Sequence, residues 1–237
     1  KEIIVFDLDG TLIETKSPMD KEMTRLVMKL LAVKTVAVIG GGKYSIFHEL
    51  FLNKLKNSPK LLKKLFIFPT TATAFYKYTT KWIKVYSLLL RQQEINKIKK
   101  TFLEVFKELN YQHPKKTYGP IIENRGTQVS FSVYGQDLVK VLGKKGVKMK
   151  ENWLKNNLKI KMQIAKLMAK KLPEFEVRAA GFTTIDVTRR GIDKAYGINQ
   201  IKKYLKIPIK KMFFIGDAIF PGGNDYAVVK TGVGYLP

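Results

Sequence analysis

Asp7 and Asp9 stand two residues apart in VFDLDGTL (5–12), directly after an apolar run and directly before a Gly-Thr turn. Asp is a poor strand former and expensive to bury unpaired, so folding alone gives no reason for this placement, whereas a chemical role would. A third carboxylate, Asp217, closes another apolar run, MFFIGD (212–217), and Gly40, Gly41 and Gly42 follow a third, TVAVIG (35–40). Parallel α/β sheets carry their active sites at the carboxyl ends of strands, so one sheet edge could gather these distant segments. Asp7, Asp9 and Asp217, with no His or Cys among them, make a hard all-oxygen site suited to Mg²⁺. Without a cation, three such carboxylates would repel one another strongly. Lys194, directly after Asp193, is placed to add a fixed positive charge beside a bound phosphate.

The elements that must position these residues read as strand and helix in alternation. IIVFDL is a buried strand. SPMDKEMTRLVMKLLAV predicts a helix with Ser17 as its N-cap and Pro18 in its first turn, and Met19, Met23, Leu26, Val27 and Leu30 inward. TVAVIG is a second strand, GGG a turn, Tyr44 to Lys56 a helix, and LFIFP (65–69) a third strand. Such units imply a parallel sheet with helices on both faces. The pattern then changes. FYKYTTKWIKVY reads as a hairpin, 93–109 as a helix and QVSFSVYG (128–135) as an alternating strand. A long amphipathic helix at 151–172 precedes strands at FEVRAAG and TTIDVT. Period-two alternation predicts an antiparallel sheet with one covered face, a separate α+β module. The expected division is therefore a core of residues 1–80 and 186–237 interrupted by an α+β insertion at 81–185. In the returning core, GIDKAYGINQIKKYLKI and DYAVVKTG predict helices and GVGYL a last strand.

Composition narrows the function classes. The 45% apolar content over 237 residues fits a folded globular protein. The absence of cysteine removes disulfides, thiolate catalysis and Cys-ligated zinc, and two histidines argue against a His metal site. No apolar run approaches membrane-spanning length and the amino terminus is not signal-like, so a cytoplasmic protein without a membrane partner is expected. The net charge of +25 attracts polyanions, but 38 of the 44 basic residues are Lys, which lacks the planar fork of base readout. They are scattered along the chain, mostly on the polar faces of predicted helices, so a solvated surface is expected rather than a nucleic-acid partner.

DLDGT, a lysine at the head of a helix and GDAIFPGGND together resemble the haloacid dehalogenase superfamily of phosphotransferases. GIDKAYG followed by FFIGDAIFPGGNDY is more narrowly similar to the branch with a large inserted α+β cap, which includes eukaryotic-type phosphomannomutases and sugar phosphatases. The resemblance implies a Rossmann-like parallel core with an α+β cap, and a small phosphorylated metabolite, such as a sugar phosphate, as substrate. It implies Asp7 as the nucleophile that forms an aspartyl-phosphate and Asp9 as general acid and base. Mg²⁺ would be held by Asp7, the Asp9 carbonyl and Asp217, with Asn224 and Asp225 supporting the site. Gly41, Gly42 and Lys194 would bind the transferring phosphate, and the cap would allow a homodimer.

In the cap, Arg125 in ENRGTQVSFSVYGQ matches an arginine that holds the distal phosphate in phosphomannomutases. Gln136 stands where a second arginine is expected, and Lys16 where one is expected after the first motif. Thr184 and Asp186 match the pair that binds sugar hydroxyls. Losing bidentate clamps argues for a phosphohydrolase over a mutase, which must hold a bisphosphate in two orientations. The glycines at 40–42 replace a Ser or Thr hydroxyl of the second motif, which implies weakened catalysis; Ser45 lies a turn too late to substitute. A phosphomannomutase, and a catalytically weak or non-catalytic anion- or nucleic-acid-binding protein on the same fold, are the alternatives.

Overall fold

The run at Ile3–Asp7 forms β1, ending on Asp7 itself. A computed structural model describes residues 1–55 and 58–237. After β1 come α1 (Lys21–Val33), β2 (Thr35–Ile39) and α2 (Tyr44–Leu50). Single-turn α3 (Pro59–Leu62), β3 (Leu65–Phe68), single-turn α4 (Pro69–Ala72), β4 (Ala74–Tyr78) and β5 (Trp82–Ser87) follow. Next are α5 (Gln92–Glu108), β6 (Ile122–Asn124), β7 (Val129–Ser132), α6 (Leu138–Leu142), α7 (Lys144–Lys171), β8 (Phe175–Ala180) and β9 (Thr184–Arg189). The chain closes with α8 (Lys194–Leu205), β10 (Met212–Ile215) and β11 (Gly234–Leu236).

Two compact units result, one of residues 1–88 and 192–237, the other of residues 89–191. Both boundaries fall later than the expected 80 and 185. The hairpin of β4 and β5 belongs to the first unit, because β4 pairs antiparallel with β3, Phe66 opposite Lys77 and Ile67 opposite Tyr76. Phe75 of β4 also stacks on Phe68 with ring centroids 4.5 Å apart. β9, with Thr184 and Asp186, belongs wholly to the second unit through its pairing with β7 and β8.

The first unit is a seven-stranded sheet in the order β11-β10-β1-β2-β3-β4-β5, parallel from β11 to β3. Alternate residues of β2 serve opposite cores, Val36 and Val38 with α1 and α2, Ala37 and Ile39 with α8. This is why TVAVI carries no polar alternation. α1 begins three residues later than expected. Asp20, not Ser17, caps it, its Oδ1 accepting the Met23 N–H at 2.7 Å, while Ser17 closes a turn onto the Glu14 carbonyl. α2 is shorter than expected, with a 3₁₀ turn at Leu52–Lys54, and Lys56 lies outside the described residues. The expected helix over DYAVVKTG is a 3₁₀ segment, Tyr226–Thr231.

The second unit is an antiparallel sheet, β6-β7-β9-β8. Val129, Phe131, Ile185, Val187 and Phe175 join Ile98, Phe102, Ile164 and Met168 of α5 and α7 in one core. The intervening residues, Ser130, Asp186 and Thr188, form the other face.

The end of β3 has a shape that no glycine announces. Thr70, Thr71 and Ala72 take φ of +48°, +56° and +64°, a left-handed turn in buried, non-glycine residues. Left-handed backbone costs an L-residue about 1–2 kcal/mol. Here the N–H groups of Thr70 and Thr71 bond the carbonyls of Gly42 and Gly40, each at 2.9 Å, which ties the turn to the glycine loop after β2. Ala72→Gly removes the strain, but it loosens the unfolded chain and deletes a fully buried core methyl worth about 0.8 kcal/mol, so the terms roughly cancel. Urea unfolding should therefore show a midpoint close to the parent's at unchanged m-value.

Candidate functional site

Asp7 ends β1 and Asp217 follows β10, neighbouring strands whose carboxyl ends share one sheet edge. Lys194 opens α8 on that edge, its helix capped by Asp193, whose Oδ1 accepts the Tyr196 N–H at 2.8 Å. The fold thus brings together residues more than 180 positions apart. Lys194 Nζ donates to Asp7 Oδ1 at 2.6 Å and to Asp225 Oδ1, and the second oxygen of Asp225 accepts the Ala218 N–H at 3.0 Å. Asp7, Lys194 and Asp225 are all buried, whereas Asp217 is exposed.

Burial with partial compensation sets the electrostatics. Asp7 is pushed up to about 7, chiefly by loss of water, with Lys194 opposing and Asp225 and Asp9 reinforcing the rise. Burial of Lys194 by itself would lower its pKa, but Asp7 and Asp225 outweigh that and hold it above the usual lysine value. Asp217, exposed as a residue, is also raised, first by partial loss of water around its carboxyl and then by Asp225. One ammonium therefore does not satisfy three carboxylates. Carboxylate oxygens of Asp7, Asp217 and Asp225 lie within 4.8 Å of one another, a donor set that fits a hard divalent cation. Since Asp225 is engaged by Lys194 and the Ala218 amide, Asp7 and Asp217 are the carboxylates best placed to hold such an ion. Asn224 is half-buried next to Asp225.

Glycine permits this crowding. Gly10 has φ +86°, and a Cβ there would lie 2.8 Å from the Asp217 carboxyl carbon. At Gly216 a Cβ would sit 2.6 Å from Asp225 Oδ2. The glycine loop after β2 has the same character. A Cβ at Gly40 would come within 3.0 Å of Phe47 and 3.1 Å of Leu8, so the buried packing leaves little room for the hydroxyl side chain otherwise expected in this motif. Gly41 and Gly42 lie in that loop between β2 and α2, on the edge that carries Asp7.

Asp9 is oriented by backbone. Its Oδ1 accepts the Lys16 N–H at 2.7 Å, and Lys16 takes φ +53° to make that bond. Beside the side chain that the sequence pointed to, the main-chain N–H of Lys16 contacts the site. Lys16→Pro deletes the N–H and cannot adopt positive φ, whereas Lys16→Gly keeps both. Phosphate-release rates should fall about a hundredfold in the proline variant, the scale of a 1 Å misplacement, and stay near parental in the glycine variant.

The cap candidates assemble separately within the second unit. Arg125 donates through Nε to Glu123 Oε2 at 2.8 Å and through its terminal nitrogen to Gln136 Oε1 at 2.9 Å. Gln136 in turn donates to the Ser130 carbonyl at 3.2 Å. Ser130 Oγ accepts from Gln128 at 2.7 Å and donates to Asp186 Oδ1 at 2.6 Å. Thr184 shares a strand face with Asp186. Sequence reasoning overlooked Glu123, which sits two residues before Arg125, and Lys161, a buried lysine of α7. Lys161 donates to the carbonyls of Gly181 at 2.5 Å and Ala180 at 3.2 Å, and burial pushes its pKa down to about 8 against the pull of Asp186.

Comparison with known proteins agrees with this geometry. A phosphomannomutase of Encephalitozoon cuniculi is 25% identical over 234 residues, covering 96% of this chain and 84% of its own length. That of Spinacia oleracea is 24% identical, covering 95% and 85%. Among solved structures, the IMP-bound IMP-nucleotidase of Plasmodium falciparum superposes with a TM-score of 0.70 at 14% identity, covering 99% of this chain; the chain spans 64% of that protein. The sucrose-phosphatase of Synechocystis, in complex with sucrose and phosphate, has a TM-score of 0.57 at 13% identity, covering 98% of this chain and 80% of that one. The profile of the haloacid dehalogenase-like hydrolases matches residues 4–232, from β1 to the last turn before β11. With Asp7, Lys194 and Asp225 bound to one another at a single sheet edge, the chain belongs to the haloacid dehalogenase-like hydrolase family.

Proposed function

We propose that, within a family of phosphatases and phosphotransferases, this chain is a Mg²⁺-dependent phosphohydrolase of a small phosphorylated metabolite, a sugar phosphate. The observation that carries the reading is the Lys194 ammonium on Asp7 Oδ1. It fixes one carboxylate oxygen and leaves Oδ2 to attack phosphorus. The bond to the leaving oxygen then breaks as Asp9 donates a proton to it. In the second step Asp9 takes a proton from water, which attacks the aspartyl-phosphate, releases inorganic phosphate and restores Asp7. Asp7, Asp217 and the Asp9 carbonyl would hold Mg²⁺, which when bound supplies positive charge against the phosphoryl oxygens. Asn224 and Asp225 support that site, and the Gly41 and Gly42 amides and Lys194 bind the phosphate. Residues of the inserted cap, Thr184 and Asp186 foremost, read the substrate's hydroxyls. The chain is taken to act in the cytoplasm, as a homodimer through the cap.

Phosphomannomutase activity is the second reading, favoured by the nearly full-length likeness to phosphomannomutases. Against it, Gln136 is neutral where a clamp would need charge, and Arg125 is already paired with Glu123. A ³¹P NMR time course with Mg²⁺, mannose-1-phosphate, glucose-1-phosphate and a trace of hexose bisphosphate separates the two. Growth of inorganic phosphate is expected. Conversion to the 6-phosphate without phosphate release would replace the hydrolase reading by the mutase. Silence with every substrate would count against both.

A further inference from the structure

The lysines that lie scattered in the sequence are gathered by the fold. β10, β1, β2 and β3 are parallel neighbours, so the residues leading into them share the sheet edge opposite Asp7 and Asp217. Those lead-ins bring exposed Lys210 and Lys211, Lys1, Lys34 and Lys64 side by side. The ammoniums are also tethered from strand to strand. Lys64 Nζ donates to the Ala32 carbonyl before β2 at 2.9 Å, Lys34 Nζ to the Lys1 carbonyl before β1 at 2.8 Å, and Lys1 Nζ to the Lys210 carbonyl before β10 at 2.6 Å. With strands about 4.8 Å apart, this is a continuous row roughly 14 Å long.

Lys1, Lys34 and Lys64 each spend one of three donors on a tether, which leaves the others directed to solvent and open to an anion. An ordinary solvated surface intersperses both signs of charge. Here Glu2, paired with Lys211 at 2.5 Å, is the sole carboxylate in the described lead-in segments, while Asp7, Asp9 and Asp217 lie at the opposite edge. Beyond Lys64 the row meets the β4–β5 hairpin, whose tip lies at the same edge because β4 runs antiparallel to β3. Its half-buried Tyr78 and Trp82 pack edge to face, with centroids 5.5 Å apart.

We infer that this edge is a docking surface for a single strand of nucleic acid, its phosphates on the tethered lysine row and an unpaired base against Trp82 and Tyr78. A single file of cations suits one backbone rather than two. Lys without Arg gives phosphate contact without base readout, and aromatic faces accept any unstacked base. The surface is separate from the phosphate-transfer site and does not depend on the proposed reaction.

The test uses anisotropy of a fluorescein-labelled 20-nucleotide oligouridylate over a salt series. The triple variant Lys1→Gln/Lys34→Gln/Lys64→Gln is compared with Lys155→Gln/Lys159→Gln/Lys166→Gln, which removes the same charge from the exposed face of α7. For single strands each lost phosphate contact removes about 0.7 from the log–log salt slope. The edge variant should therefore lose about 2 in slope and roughly a hundredfold in affinity at 0.1 M salt. The α7 variant should stay within about threefold of the parent on the same basis. Thermal melts check that both variants fold, and phosphate release should be unchanged in both. Equal loss in the two variants would reduce the effect to net charge and overturn the inference. So would no binding by the parent, or tighter binding of a duplex, inorganic polyphosphate or phosphatidylserine vesicles than of the single strand.

Discussion

Asp7→Asn abolishes phosphate release while the protein remains folded. The substitution keeps the shape and leaves an amide oxygen to accept from Lys194, so the contacts at the end of β1 survive. What disappears is the proposed nucleophile, and a loss of at least about 10⁴-fold is expected, since knocking out an enzyme nucleophile has cost up to about 10⁶ in kcat. The stability readout has the opposite sign. Asp7 is buried and titrates near 7, so its ionised form is disfavoured in the folded protein. Between the unfolded carboxylate value of about 4 and that folded value, the folded state binds the extra proton, and ionising the group costs stability as pH rises. Without added metal, Asp7→Asn should therefore melt no lower than the parent at pH 8, and the advantage should shrink toward pH 5. A variant that loses stability together with activity would show that Asp7 is a structural partner of Lys194 and little else. Asp9→Asn separates the next step. Under the proposed mechanism the Asp7 nucleophile remains while the acid–base help of Asp9 is lost, and a fall of about 10²–10⁴-fold is expected.

How much of this was legible depends on which forces decide each element. The parallel strands were readable because TVAVI is covered on both faces and IIVFD is buried on one and half-buried on the other, which leaves an uninterrupted apolar run. Asp7, Asp9 and Asp217 stood out because a carboxylate ending such a run has no folding reason to be there. Three features were hidden for definite reasons. The hairpin of β4 and β5 looked like the start of the insertion, since pairing partners are a tertiary choice that local pattern does not encode. The left-handed turn at Thr70–Ala72 has none of the Gly or Asn residues that normally mark positive φ, because hydrogen bonds from the Gly40–Gly42 loop impose it. The Lys16 N–H that orients Asp9 is a backbone contribution, to which side-chain motifs are blind. Arg125 illustrates a fourth limit. Its position in a motif suggested an anion contact, and only the folded sheet reveals that Glu123 and Gln136 also engage two of the five guanidinium donors.

Lys194→Met should be the most damaging single change to the fold of the core as well as to its chemistry. The Lys194 side chain is 3% exposed and bridges Asp7 at 5% and Asp225 at 0%. Methionine fills the space but leaves two buried carboxylates facing each other with no cation between them. Breaking a buried pair in this way typically costs about 3–5 kcal/mol, a large part of the stability of an ordinary domain. Solvent screening gives little relief at this depth. The pH dependence identifies the cause. Removing the ammonium takes away the charge that opposes the rise at Asp7, so the folded Asp7 carboxyl moves further above its unfolded value. The penalty is then greatest at high pH and shrinks as Asp7 is protonated. The melting-temperature gap between parent and variant should therefore narrow from pH 8 to pH 5. A gap that stays constant would assign the loss to packing against Phe214, whose ring centroid lies 5.8 Å from the ammonium. Adding Asp225→Asn to Lys194→Met offers the complementary check. The double variant should regain part of the stability, since one carboxylate no longer needs a partner. Its phosphate release should stay low, because Asp7 still lacks the ammonium that, in the proposed mechanism, fixes Oδ1 and leaves Oδ2 to attack. Recovery of both together would mean that Lys194 serves only to neutralise Asp225; recovery of stability alone ties the ammonium to the attacking carboxylate.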